Sequence, residues 1–151
     1  MTKAPRQARV VGCVALALVG LVACSTGSWN VKESDLPPEA ALAYPGASAQ
    51  HRSWNPGEKG EYIDGGSAET VPHLSTDYSM SPTAVMDVIE WYRSHLEELG
   101  YTVDPPVRYG EVRLTGVRTT DDFTFTFVVR VVPSADDTAQ EYHVGLEVKP
   151  T

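Results

Sequence analysis

One stretch of the chain has the spacing of an amphipathic α-helix, and it restricts the possible folds more than any other feature. Its apolar residues recur at intervals of four and three, which places them on one face of a helix: Val85, Ile89, Tyr92, Leu96 and Leu99. Ser81 and Pro82 suit the N-cap and the first helical position, and Gly100 suits the residue after the C-cap. Full burial of this face would contribute about 7–15 kcal/mol before the loss of chain entropy is subtracted. We therefore predict a helix that covers a hydrophobic core.

Segments with alternating apolar and polar residues lie on both sides of this helix. The clearest is 123–131, in which Phe123, Phe125 and Phe127 are separated by threonines. The predicted strands are 47–54, 71–80, 101–103, 107 or 111 to 118, 123–131 and 142–148. Alternation indicates one buried and one solvated face, which is typical of antiparallel sheets. The order ββαββββ predicts an α+β two-layer sandwich, with one long helix packed on one face of a mostly antiparallel sheet.

The first 23 residues have the three parts of a secretory signal. Lys3, Arg6 and Arg9 form a basic start with no acidic residue nearby, and 10–22 is an apolar stretch of thirteen residues. As a helix this stretch would be about 20 Å long, which is too short for a hydrocarbon core of about 30 Å. A retained membrane span is therefore the weaker interpretation.

The apolar stretch leads into Leu21-Val22-Ala23-Cys24, a motif that resembles the lipobox of bacterial lipoproteins. The resemblance implies that the Cys24 thiol receives a diacylglycerol. It also implies that a dedicated peptidase recognises Leu21, Val22 and Ala23 and cuts between Ala23 and Cys24. Such a protein is anchored in the cell membrane on its extracytoplasmic face. The alternative is an ordinary secretory signal with a cysteine near its cleavage site.

The motif also predicts the domain organisation. Residues 1–23 are expected to be a signal peptide that is removed, 24–41 a lipidated cysteine with a flexible tether, and 42–151 a single α+β domain. Small polar residues and two consecutive prolines favour the tether, whose r.m.s. reach would be about 20–25 Å.

The domain is also similar, in parts, to small uncharacterised lipoprotein domains of the bacterial envelope. The similarity lies in Tyr44-Pro45-Gly46-Ala47, in Trp91-Tyr92 and in Leu99-Gly100-Tyr101. This resemblance implies no known activity, and it transfers no functional residue to the chain.

The charge and the cysteines narrow the possible ligands. The chain has 20 Asp and Glu against 12 Lys and Arg, a formal net charge of −8, and loss of 1–23 removes three basic residues and leaves about −11. This acidity argues against nucleic acid and against flat attachment to an anionic bilayer, because both favour clusters of Lys and Arg. The only cysteines are Cys13 and Cys24, so the mature domain is expected to have no disulfide and no cysteine-based metal or redox site.

No motif in the sequence indicates catalysis, a cofactor or a metal. A Gly-x-Ser-x-Gly elbow and a phosphate-binding loop are absent, and the four histidines form no i,i+4 pair. His73 and His143 lie on the solvated faces of two predicted strands, where they could meet with Asp77. Solitary exposed histidines are nevertheless the favoured interpretation, and His95 is expected to be partly buried and hydrogen-bonded.

A candidate interaction surface combines a glycine-rich loop with the solvated face of the sheet. The loop 55–66 has four glycines and one proline in twelve residues, and Trp54 and Tyr62 bracket its first half. Aromatic residues on loops are common in partner binding, but the favoured alternative is that Trp54 ends a strand and packs beneath the loop. On the sheet, the candidates are Arg130 and His143, near Thr124, Thr126 and Glu147.

These features together predict a lipid-anchored envelope lipoprotein. It would act as a non-enzymatic binding or accessory module at the outer face of the cell membrane, attached through the diacylglycerol on Cys24. Its ligand would be an envelope protein or a cell-wall polymer and not nucleic acid. Two alternatives stay open, namely a cell-envelope hydrolase whose site is scattered in sequence, and a structural spacer.

Overall fold

The computed structural model describes residues 28–60 and 69–151. Two short 3₁₀ helices precede the sheet, at Glu33–Asp35 and Pro38–Ala41. The other elements, in chain order, are β1 (Ser48–Asn55), β2 (His73–Ala84), α1 (Val85–Glu98), β3 (Thr102–Val103), β4 (Val107–Tyr109), β5 (Glu111–Thr119), β6 (Phe123–Val131) and β7 (Thr138–Pro150). The predicted lipobox (Leu21, Val22, Ala23 and Cys24) and the candidate Tyr62 lie outside the described residues.

The strands form one open, fully antiparallel sheet. Their order is β1-β2-β7-β6-β5-β3, and β4 pairs with β5. With α1 packed on one face, the sheet confirms the predicted α+β sandwich. One strand more than expected follows the helix, because Gly110, whose φ is 70°, reverses the chain between β4 and β5. Glycine adopts this left-handed conformation at little cost.

The helix begins three residues later than the sequence predicts. Ser81 and Pro82 belong to β2, which continues to Ala84, so their assignment to the N-cap and first helical position is wrong. A register shift between Ser79 and Thr83 takes Pro82 out of regular pairing, after which Thr83 pairs with Ala139. The backbone of Thr83 and Ala84 therefore pairs with β7 and does not form the first turn of the helix.

The buried side of α1 is close to the predicted stripe, with one exchange. Val85, Ile89, Tyr92 and Leu96 are fully buried, and Val88 joins them, whereas Leu99 is 39 % exposed. The helix ends at Gly100, as predicted, with a φ of 86°. The N–H of Gly100 donates to Glu97 O, and that of Tyr101 to Leu96 O. These two bonds form a Schellman motif, which satisfies two carbonyls at the helix end.

The segment 28–44 packs beside the helix, so the prediction of a flexible tether is wrong for the described residues 28–41. Trp29 and Val31 are buried. The hydroxyl of Tyr92 donates to Leu42 O over 3.0 Å, and the N–H of Tyr44 donates to Tyr142 Oη over 3.0 Å. A segment rich in small polar residues therefore packs through a few apolar side chains and backbone hydrogen bonds.

A buried carboxylate, that of Glu39, links this segment to β5 and to Tyr101, which follows the end of α1. Glu39 is 6 % exposed, forms an ion pair with Arg118 of β5 and accepts a hydrogen bond of 3.0 Å from the hydroxyl of Tyr101. The Arg118 guanidinium also lies over the rings of Tyr101 and Phe125. Burial, and then the neighbouring Glu39 carboxylate, raise the pKa of Tyr101. We call Glu39, Arg118 and Tyr101 the clasp.

The sheet thus has two different faces. The covered face lies under α1 and segment 28–44, and its buried residues include Tyr78, Leu114, Phe127, Val129, Val144 and Leu146. The open face carries the alternate residues of the same strands, including Ser75, Asp77, Thr115, Val128, Arg130, His143 and Gly145. No described segment packs over the open face, so any site on it is accessible from solvent.

Candidate functional site

Strand register aligns five residues in a straight line across the open face. One comes from each of five adjacent strands, and each lies opposite the next: His51, Asp77, His143, Arg130 and Arg113. Because adjacent strands are about 4.8 Å apart, the line is about 19 Å long. We call these five residues the cross-strand row. It concentrates two arginines and two histidines in a chain whose net charge is −8.

Asp77 and His143 form a hydrogen-bonded pair at the middle of the cross-strand row. The distance from His143 Nδ1 to Asp77 Oδ1 is 2.7 Å. Because a carboxylate only accepts, the imidazole carries its proton on Nδ1 and donates it. Nε2 is then left for other partners. A Cβ built on Gly145 would lie 3.8 Å from Nε2, so the absence of a side chain at Gly145 keeps the space beside Nε2 open.

Arg130 differs from the other arginines of the described chain. Arg52, Arg93, Arg108, Arg113 and Arg118 each have an acidic partner within 4 Å. Arg130 is half-buried and has neither an ion pair nor a hydrogen bond among residues 28–60 and 69–151. Its neighbours in the row are Arg113 and His143. Like charges placed opposite each other on adjacent strands are unfavourable, so an unpaired arginine beside a second one slightly destabilises the free protein.

Two shallow depressions meet at Arg130 and His143. The larger is an open concavity of about 840 Å³ that also borders His51, Val132 and the carboxylates Asp77, Glu111 and Glu141. The smaller, of about 290 Å³, is bordered by Ser75, Arg113, Val128 and Gly145, with His73 and Glu147 beyond them. Arg130 and His143 border both, so they occupy the centre of the open face.

One end of the open face is apolar. Tyr109 is 92 % exposed, Val107 63 % and Val132 66 %. Tyr109 lies opposite Glu111 and Val107 opposite Arg113, which places both on the same face as the cross-strand row. The open face therefore places one exposed tyrosine and two exposed valines beside a charged centre, and aromatic residues and arginine are both enriched in binding interfaces.

The structure brings together two of the four predicted interaction residues. Arg130 and His143 lie opposite each other on β6 and β7. Trp54 does not join them, because it pairs with Leu74 on the covered face and packs against the core, as the alternative interpretation held. Tyr62 is outside the described residues.

Three histidines have hydrogen-bond partners: His143 bonds a side chain, and His73 and His95 bond backbone carbonyl groups. His143 meets Asp77, so solitary exposure is wrong for this residue. His73 stays apart, with its Nδ1 2.9 Å from Val71 O. His95 bonds Trp91 O over 2.7 Å and stacks on the Trp91 ring, as predicted for a partly buried histidine. Arg113, His51 and Gly145 were not predicted from the sequence, because their only signal was a place on the polar side of a strand.

The Asp77–His143 pair has part of what an acid–base site needs. A carboxylate that orients a histidine is one half of a catalytic triad. In the described chain, however, no hydroxyl hydrogen-bonds Nε2 of His143. Within those same residues, no group of three or more His, Cys, Asp or Glu is placed to hold a metal ion. A helix with the length and apolarity of a membrane span is likewise not found among them.

No protein-family model, no curated protein and no solved structure matches the chain. What the protein does is therefore inferred from two of its own features. One is the N-terminal sequence around Cys24, and the other is the chemistry of the open face around Arg130 and His143.

Proposed function

We propose that the chain is a lipid-anchored envelope protein that acts as a non-enzymatic binding module on the extracytoplasmic face of the cell membrane. Its ligand surface is the open face of the sheet. The observation that carries the binding role is Arg130, a half-buried arginine without a partner in a described chain whose other arginines are all paired. A polar group without a hydrogen-bond partner in a folded protein needs an explanation, and a ligand at the centre of this accessible face would supply the missing partner.

The lipobox supports the membrane anchor. Two acyl chains on Cys24 would attach the protein firmly, because each buried methylene contributes about 0.8 kcal/mol and a single chain gives only reversible binding. The acidic mature chain would gain nothing from an anionic bilayer. Attachment would therefore depend on the lipid.

The packed segment 28–44 brings this anchor close to the domain. Trp29 is the first described residue that is buried, and it is five residues from Cys24. A chain of five residues spans at most about 18 Å. The domain would therefore be held near the membrane surface, closer than a tether that ran to residue 41 would allow.

The anchor is tested by the two cysteines, which provide a matched pair of variants. Cells that express the wild type, Cys24→Ala or Cys13→Ala are fractionated, and the N-terminus of the protein is identified by mass spectrometry. The wild type and Cys13→Ala should be found in the membrane fraction with a diacylglycerol on Cys24. Cys24→Ala should lose the lipid. An unmodified Cys24 thiol on a wild-type protein in the aqueous fraction would exclude the anchor.

The binding role is tested separately on the open face. The lipidated protein, held in neutral detergent micelles, is incubated with purified cell-wall polymer, and retention is measured for the wild type, Arg130→Glu and Arg93→Glu. Arg93 lies on the exposed side of α1 and pairs with Glu90. The variant Arg93→Glu is therefore the matched control, because it reverses the same charge at a position away from the open face. Retention that is lost in Arg130→Glu alone supports the proposal. Equal retention of both variants would contradict it.

A hydrolase is the second candidate, and the Asp77–His143 pair is the observation that favours it. An oriented histidine whose Nε2 is free could remove a proton from a water molecule. In that case Asp77→Asn would abolish release of soluble fragments from the cell-wall polymer while leaving retention of the polymer intact. A binding module would release no fragments in either form.

A further inference from the structure

We propose that the centre of the open face binds a phosphate group, held by Arg130, Arg113 and the Nε2 atom of His143. This inference rests on the proposed function, because it names the chemical class of the ligand that the open face takes. Asp77 and Gly145 are positioning residues of the same site. The first orients the imidazole of His143, and the second leaves room beside it.

The two adjacent arginines at the centre of the cross-strand row favour an anion there, although Glu111, Glu141 and Glu147 border the surrounding depressions. Arg130 lies between Arg113 and His143. Among residues 28–60 and 69–151, Arg113 has only one acidic contact, with 3.9 Å between its Nε and Glu111 Oε1, which is longer than a hydrogen bond. The only carboxylate in the row, that of Asp77, already accepts from His143. An anion bound between the two guanidinium groups would remove their mutual repulsion.

The placement of the donors favours phosphate over carboxylate. Arg113, Arg130 and His143 come from three adjacent strands, so their backbones span about 10 Å along the row. A carboxylate presents two oxygens in one plane and is satisfied by a single bidentate guanidinium. A phosphate group directs its oxygens in several directions, and it can therefore accept from side chains that approach from both sides.

His143 can contact phosphate in both of its protonation states. Because Nδ1–H is committed to Asp77, Nε2 accepts a hydrogen bond when the ring is neutral and donates one when the ring is protonated. It can thus pair with a P–OH group or with an anionic oxygen. Gly145 borders the smaller depression, and any larger residue there would fill the space that the phosphate needs.

The test is a titration of the full-length lipidated protein, in neutral micelles, with inorganic phosphate at constant ionic strength. Binding is followed by NMR through the histidine ring signals. Arg130→Gln and Gly145→Val should each weaken binding at least tenfold, and Arg113→Gln at least threefold. The matched control Arg93→Gln, on the solvent side of α1, should stay within twofold of the wild type. Circular dichroism checks that each variant is folded.

Three further titrations define the ligand. Acetate tests the anion class and should bind at least tenfold more weakly than phosphate. Glycerol 3-phosphate and glycerophosphoglycerol compare a monoester with a diester, which distinguishes a small phosphorylated molecule from a phosphodiester polymer or a lipid headgroup. Tighter binding of either ester than of acetate supports the phosphate site.

Two results would overturn the inference. One is equal phosphate affinity in the wild type and Arg130→Gln, and the other is equal affinity for acetate and phosphate. Either result, combined with Cys24-dependent attachment and Arg130-dependent polymer retention, would reject the phosphate site and leave the proposed function in place. If phosphate binding is intact but Cys24-dependent attachment or Arg130-dependent polymer retention is not found, the proposed function is rejected and the phosphate site is kept.

Discussion

The covered and open faces are built by the same strands, but their arginines differ: Arg118 on the covered face pairs with Glu39, although its Nε has no hydrogen-bond partner among the described residues, whereas Arg130 on the open face has no acidic partner among them. On the covered face, the carboxylate of Glu39 and the hydroxyls of Tyr92 and Tyr101 are buried and hydrogen-bonded. On the open face, Arg130 is half-buried without a partner in the described chain. A buried polar group costs stability unless it is paired, whereas one at an accessible face can be paired by a ligand. This difference supports our proposal that the covered face stabilises the fold and that the open face binds a ligand.

The largest expected effect is on the covered face, at the centre of α1. Ile89 is fully buried, and Ile89→Asp would place a charge in an apolar core without a partner. We expect the variant to show no cooperative unfolding transition by circular dichroism. Met86→Asp is the matched control, because Met86 is 39 % exposed, and it should unfold cooperatively. A folded Ile89→Asp protein would contradict the assignment of the core.

The next largest effect is expected at the clasp. Glu39→Gln leaves Arg118 without its carboxylate, and removal of one partner of a buried pair costs about 3–5 kcal/mol. Arg118 is 23 % exposed in its side chain, so we expect about 2–4 kcal/mol in the free energy of unfolding. Glu33→Gln, which breaks an exposed pair with Arg52, should cost less than about 1 kcal/mol. Equal losses would mean that segment 28–44 is held in another way.

A pH-dependent effect, smaller for each residue than the effect at the clasp, should come from the tyrosines of the covered face. Burial raises the pKa values of Tyr78, Tyr92 and Tyr142 above 10.0. Above pH 10 the unfolded chain loses these protons and the folded chain keeps them, so stability is complete below pH 10 and falls as the pH rises further. Each tyrosine contributes up to about 1.4 kcal/mol per pH unit.

This pH dependence is measured as the free energy of unfolding at pH 8 and at pH 11. Tyr92→Phe should reduce the loss of stability between the two values, although it also removes the hydrogen bond to Leu42 O. Tyr109→Phe is the control, because Tyr109 is 92 % exposed, and it should leave the loss unchanged. If the wild type, Tyr92→Phe and Tyr109→Phe lose the same free energy of unfolding between pH 8 and pH 11, burial of Tyr92 is not a cause of the pH dependence.

The smallest effect on stability is expected on the open face. Arg130→Gln removes an unpaired charge opposite Arg113, so the free energy of unfolding should change by less than about 0.5 kcal/mol, toward greater stability. Arg118→Gln alters the same residue type on the covered face and should destabilise the protein clearly. Chemical denaturation of the two variants compares the faces directly. A large loss of stability in Arg130→Gln would give that residue a structural role.

The candidate site was only partly predictable from the sequence. Alternation placed Arg130 and His143 on the solvated side of their strands, and the structure confirms both positions. The same alternation held for Arg113, but nothing in it indicated that Arg113 would lie next to Arg130. That neighbour depends on the pairing of β5 with β6, and the Asp77–His143 bond depends on the pairing of β2 with β7, 66 residues apart in the chain.

The sequence by itself determined most local properties of this protein: the position of most strands, which face of α1 is apolar and where Gly100 ends the helix. These follow from side-chain spacing and from the backbone preferences of single residues, which act over a few positions. Only the tertiary structure decided the neighbours of each strand, the late start of α1 and the packing of residues 28–44 through Glu39 and Tyr44. Those outcomes depend on hydrogen bonds and ion pairs between distant segments, and the spacing within one segment carries no information about them.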